Sequence, residues 1–145
     1  MDELIVSLKI ALSNTFLMYF KAHSYHWNVE GMNFAQYHDY LGGLYEELHA
    51  AVDPMAEELR TLDIYGPISL TDLYRTKTVN EDEVKPADYR EMVMNLISCN
   101  TEVVNSLNKT FELAEAQNKQ GLADFIAGRI DVHNKHGWML RSFLK

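Results

Sequence analysis

Four residues of this chain could together hold a metal ion: His26, His38, Asp53 and Glu57. The histidines lie in HSYHWNVEGMNFAQYH and the carboxylates in DPMAE. Imidazole nitrogen and carboxylate oxygen suit iron, zinc or manganese. Their spacing carries a constraint. On one helix covering 34–62, His38 and Asp53 stand fifteen residues apart, which is roughly 22 Å at the usual rise per residue. One ion with bonds of about 2 Å cannot span that gap. If the four share a site, Asp53 and Glu57 must come from a second chain.

The helix that carries them has two kinds of surface. With His38 at zero and ~100° per residue, Gly42, Glu46, His49, Asp53 and Glu57 fall between about 20° and 100°. Phe34, Leu41, Leu44, Leu48, Val52, Met55 and Leu59 fall on the other side of His38, between about −40° and −120°. A core stripe is therefore expected beside a strip of imidazoles and carboxylates. Glu46 and His49 on that strip are either accessory ligands or hydrogen-bonded interface groups. His26 and His38 are equally far from residue 32, so an antiparallel hairpin would bring them level. A second chain across a two-fold axis could then present Asp53 and Glu57 to the pair, giving two equivalent sites per dimer. His23, His133 and His136 are expected to be satisfied interface residues.

The elements that must position these groups are helical. Glycine is scarce, the three prolines are spread out, and strand-like alternation persists nowhere, so the class is all-α. The first helix is expected over about 2–28. It has one apolar stripe at Ile5, Leu8, Leu12, Phe16 and Tyr19, and another at Val6, Ile10 and Leu17. Apolar on two faces, it should pack both in the bundle and against another subunit. Asn28–Gly31–Asn33 marks a turn, and the second helix follows over about 34–62. Residues 63–85 form a long crossover, in which SLTDLY from Ser69 could make a short helix. Such a crossover lets the second and third long helices run parallel, as in ferritin-like bundles. The third is expected to start near Pro86, a residue tolerated in a first turn, with a stripe from Met92 to Ala114. After a break at 117–121, the last runs over about 122–143. Pro54, directly after Asp53, removes one helix bond and is expected to kink the second helix near Ala50.

Composition narrows the function. The 145 residues make one domain, 1–145, long enough for a real core. A net charge of −8 disfavours non-specific nucleic-acid binding and suits cation uptake. Cys99 is the only cysteine, which excludes an intrachain disulfide and a cysteine-based zinc site. The start, Met-Asp-Glu, has the wrong charge for a signal peptide. No uninterrupted apolar run approaches the roughly 20 residues of a membrane helix. A cytoplasmic protein is expected.

The stretch His23–Arg60, with HSYHWNVEGMNFAQYHDY and VDPMAEELR, resembles the signature of the Dps mini-ferritins. The stretch HNKHGWMLRSFL at 133–144 resembles that family's last helix. The resemblance implies a ferritin-like four-helix bundle, with a short helix in the crossover, assembled as a hollow homododecamer. It implies a ferroxidase centre between subunits, with His26 and His38 from one chain and Asp53 and Glu57 from its partner. Trp27 would pack beside the site, and Asp124 would lie near an acidic three-fold pore. The implied activity is oxidation of Fe²⁺, with hydrogen peroxide as oxidant, and storage of Fe³⁺ in the shell.

This chain departs from the family pattern at three points. Gly42 stands where relatives often carry an aspartate, so the second metal position should be the weaker. Pro54 sits inside the ligand-bearing helix. No lysine-rich N-terminal extension is present, so DNA binding is expected to be weak or absent. Two alternatives remain. One is a Dps-like cage with little ferroxidase activity, acting as a protective shell. The other is an intrasubunit di-iron enzyme, which needs Glu-x-x-His pairs on two helices; only Glu46-Glu-Leu-His49 fits.

Overall fold

A computed structural model describes residues 2–145, in which all regular structure is helical. The elements are α1 (Glu3–Asn28), α2 (Phe34–Thr61), α3 (Leu70–Thr76), α4 (Tyr89–Ala116) and α5 (Gln120–Ser142). The four long helices form an antiparallel bundle joined by one long crossover. α1 packs on α2 and α4, and α4 on α5. The rings of Tyr37 and Tyr89, each near the start of its helix, lie 4.2 Å apart. α2 and α4 therefore run parallel, as the crossover length implied.

Local chemistry sets each boundary. The Asp2 carboxylate accepts from the Leu4 N–H and begins α1. The turn after α1 uses Gly31 at φ 103 and Asn33 at φ 65, left-handed conformations that glycine and asparagine tolerate best. The short helix expected from Ser69 is present as α3. The Ser69 hydroxyl accepts from the Asp72 N–H, and the Asp72 carboxylate accepts from the Ile68 N–H. The third long helix starts at Tyr89 rather than near Pro86. Asp88 accepts from the Glu91 N–H at 2.9 Å, and Glu91 reaches back to the Ala87 N–H at 2.8 Å. Reciprocal capping of this kind outweighs the permissiveness of proline in a first turn. α2 runs on through Pro54 to Thr61. Ala50 and Pro54 are both exposed, so water can serve the carbonyl that proline leaves unpaired.

The core is built from Leu4, Leu8 and Leu12 of α1, Leu44, Leu48 and Met55 of α2, Leu96 and Leu107 of α4, and Ile126 and Leu140 of α5, all fully or nearly fully buried. The expected stripe on α2 needs one correction. Phe34, the first residue of α2, is 44% exposed and stacks on His38 with ring centroids 5.1 Å apart; Tyr37 takes the buried place instead. On α1, Val6 is exposed, whereas Ile10 and Leu17 are half-buried. By length and composition α1 could cross a membrane. Half of its apolar stretch is instead packed in the bundle, where Ser7 shares a 2.7 Å hydrogen bond with Thr110.

The crossover is tied down along α1. Asn14 accepts from the Thr78 and Val79 N–H groups and donates to the Thr78 hydroxyl. Lys21 forms a 3.0 Å ion pair with Asp82, and the Tyr25 hydroxyl donates to the same carboxylate. Burial, reinforced by the Asp82 carboxylate, raises the Tyr25 pKa and keeps that phenol protonated.

Candidate metal centre

The antiparallel hairpin of α1 and α2 brings His26 and His38 level, as their equal distance from the turn required. Their rings stack, with centroids 3.7 Å apart and planes 17° apart. Each also bonds the other's backbone. His26 Nδ1 lies 2.6 Å from the His38 carbonyl oxygen, and His38 Nδ1 lies 2.7 Å from the His26 carbonyl oxygen. A carbonyl has no proton to give, so both Nδ1 atoms donate. In a neutral ring this leaves the Nε2 lone pair free, the state a metal needs. Both side chains are half-buried, and Gly42 lies against the His26 ring.

Asp53 and Glu57 lie further along α2 and are exposed. Among the described residues, no three His, Cys, Asp or Glu side chains converge to hold one ion. The chain therefore brings together His26 and His38 but not the carboxylates, as the helix spacing demanded.

Aromatic groups crowd the pair. His23 stacks on Tyr45 at 3.8 Å and 4°, and shares a 3.0 Å hydrogen bond with the Tyr19 hydroxyl. Trp27 lies 4.2 Å from His23, between ring centroids, and is exposed. Desolvation lowers the His23 pKa, with His26 and His49 adding repulsion. His49 is exposed and packs on Tyr19, ring centroids 4.8 Å apart; Glu46 is exposed.

The bundle interior holds a different polar cluster. Glu47 of α2 pairs with Arg129 of α5, its two oxygens accepting from two guanidinium nitrogens. It also lies 2.7 Å from His136 Nε2. His133 Nδ1 is 2.8 Å from Asn100 Oδ1, and the Asn100 amide donates to the His133 carbonyl at 3.0 Å. Burial raises the Glu47 pKa, but the hydrogen bonds from His136 and Arg129 outweigh it and hold the carboxyl down at about 2. Burial, with Arg129 adding repulsion, pushes His133 down to about 3.

This cluster removes the ground for an intrasubunit di-iron site. Glu46 and His49 are exposed, and the inward carboxylate, Glu47, has both oxygens engaged by the Arg129 guanidinium and His136. His133 and His136 are satisfied, as expected, but inside the subunit rather than at an interface. Arg129, His133 and His136 share one face of α5 by their i, i+4, i+7 spacing. That spacing was available in the sequence; their partner Glu47 was hidden one position from the more conspicuous Glu46.

A family profile described as a ferritin-like domain matches residues 5–145. The DNA protection during starvation protein of Brevibacillus brevis is 30% identical over 145 residues, covering 97% of this chain and 93% of that one. The chain belongs to the Dps branch of the ferritin-like family. This Dps is also similar in fold to Dps from Thermosynechococcus elongatus, with a TM-score of 0.95 at 24% identity, covering 99% of this chain and 90% of that one. The Vibrio cholerae Dps, described as a member of a superfamily of ferritin-like diiron-carboxylate proteins, gives a TM-score of 0.93 at 24% identity, covering 99% and 89% of the two chains.

Proposed function

We propose that this Dps is a ferroxidase that binds Fe²⁺ between two subunits, oxidises it and retains Fe³⁺ inside a hollow homododecamer. The observation that carries this reading is the stacked His26–His38 pair, with both Nδ1 atoms committed and both Nε2 atoms free. The donor set fits the substrate. Neutral imidazoles suit Fe²⁺, and the partner subunit's Asp53 and Glu57 add the hard oxygens that Fe³⁺ prefers. Two Fe²⁺ ions supply the two electrons that reduce one hydrogen peroxide, which takes up two protons and leaves as two waters. The chain's part is to hold the ions near the oxidant. Its net charge of −8 favours cation entry, with Asp124, exposed on α5, as the acidic position assigned to a pore.

Assembly is supported by the apolar surface around the pair. Phe20, Trp27, Met32 and Phe34 are exposed near it, and Tyr65, Ile68, Leu70 and Tyr74 along the crossover. Apolar surface of this extent favours burial against another copy. The second reading, a cage with little oxidation, is favoured by one observation: Gly42 supplies no oxygen ligand.

Mixed assemblies test the shared site. His26→Ala and Asp53→Ala should each abolish rapid peroxide-driven Fe²⁺ oxidation when homogeneous. Assembled together in equal amounts, they should recover about a quarter of the sites, because each mixed dimer holds one intact set. No recovery despite verified co-assembly would refute the shared site. Wild-type oxidation that is slow with both peroxide and oxygen would favour the passive cage.

A further inference from the structure

We infer that Gly42 is a positioning residue for the metal centre: by carrying no side chain, it makes room for the reciprocal His26–His38 clasp, which sets both imidazoles before an ion arrives. This inference rests on the reading of the pair as metal ligands. It replaces the view of Gly42 as only a missing carboxylate.

The clasp uses two carbonyls that are available at little cost. His26 lies in the last turn of α1, which ends at Asn28. The closing carbonyls of a helix have no partner of their own, so the His38 Nδ1–H caps one of them. The His38 carbonyl lies within α2, and its second lone pair can accept the His26 Nδ1–H. The two bonds cross-link the end of α1 to the start of α2, and they close only if the His26 ring approaches α2 closely.

Gly42 is one helical turn beyond His38, on the side where that ring lies. A Cβ on residue 42 would stand 3.2 Å from His26 Cε1 and 3.4 Å from His26 Nδ1. The first distance is tighter than ordinary packing. The ring has little freedom to yield, since it is stacked on His38 and hydrogen-bonded at 2.6 Å. A methyl group at 42 would therefore lengthen the Nδ1 bond and turn Nε2 away from its set direction. Gly43, the next residue, would place a Cβ in open space, where nothing beyond its own stretch of helix lies within 4 Å. Each glycine weakens the helix relative to alanine, but only Gly42 faces the ring. An aspartate at 42 would add a carboxylate and a clash together; alanine isolates the clash.

Groups that orient a metal-ligating imidazole typically change metal affinity by about 10- to 100-fold when lost. The matched pair Gly42→Ala and Gly43→Ala uses that scale. Wild-type and variant assemblies, with ¹⁵N-labelled histidine and no metal, are examined by solid-state NMR for the protonated nitrogen of each ring, then titrated with Co²⁺ by calorimetry. Wild type and Gly43→Ala should both show Nδ1–H on His26 and His38 and bind Co²⁺ alike. Gly42→Ala should lose the His26 signature and bind Co²⁺ about tenfold more weakly or worse. Equal behaviour of the two variants overturns the inference. So does a wild-type His26 protonated at Nε2 alone, a result that needs no variant to fold. Wild-type protein with both Nδ1–H signatures but no Co²⁺ binding overturns the metal-site reading instead, and leaves the clasp as a helix cap.

Discussion

Removing the Glu47 carboxylate should destabilise the bundle far more than removing its neighbour. Glu47→Ala leaves the Arg129 guanidinium, only 9% exposed in its side chain, with no anion beside it. His136 Nε2 loses its 2.7 Å partner in the same step. The surroundings offer poor substitutes, since Arg129 Nε already has no hydrogen-bond partner and His133 Nε2, 3.2 Å from the guanidinium, is the one remaining contact. Breaking a buried ion pair from one side costs about 3–5 kcal/mol. Glu47 is itself one-third exposed, so water can reach the gap, and the lower end, about 3 kcal/mol, is expected. Exposed Glu46, one residue away, should cost no more than about 0.5 kcal/mol when replaced by alanine. Urea unfolding at pH 7, at one fixed protein concentration because assembly contributes to stability, measures both. The double variant Glu47→Leu with Arg129→Met should lose less than Glu47→Ala, because no charge is stranded. If Glu47→Ala and Glu46→Ala unfold at the same urea concentration, the buried pair does not hold the core.

Acid should weaken the fold in two stages. His133 has its pKa depressed to about 3 from 6.5, so its contribution is complete above pH 6.5 and declines as pH falls toward 3, by at most about 1.4 kcal/mol per pH unit. Glu47, depressed to about 2 from 4.5, adds its own loss only below pH 4.5. The unfolding midpoint should therefore begin to fall near pH 6.5, and His133→Gln should flatten that first stage; an unchanged slope in the variant would contradict it. DNA binding should be negligible at physiological salt, since thirteen basic residues face twenty-one acidic ones and phosphate contacts need clustered cations. A gel shift with sub-micromolar affinity at about 150 mM salt would contradict this and reveal a basic surface that the net charge conceals.

The helical class, the single long crossover, the α1–α2 hairpin and the placing of His26 beside His38 were all legible in the sequence. Each follows from local rules: apolar periodicity, turn residues and equal distance from a turn. The same arithmetic required Asp53 and Glu57 to lie apart from the pair within one chain. Helix starts were less legible, as at Tyr89, because two capping signals lay within a few residues and side-chain bonds chose between them. What only the tertiary structure decided depends on contacts between helices. The sequence marked Gly42 as a missing ligand; the packing of α1 on α2 places a ring where its side chain would be. The sequence drew attention to Glu46 and His49; the orientation of α2 turned both outward and gave the interior to Glu47, Arg129 and His136. Periodicity assigns a residue to a face of its own helix, but which residue of another helix meets that face depends on how the two helices are rotated and spaced in the folded bundle.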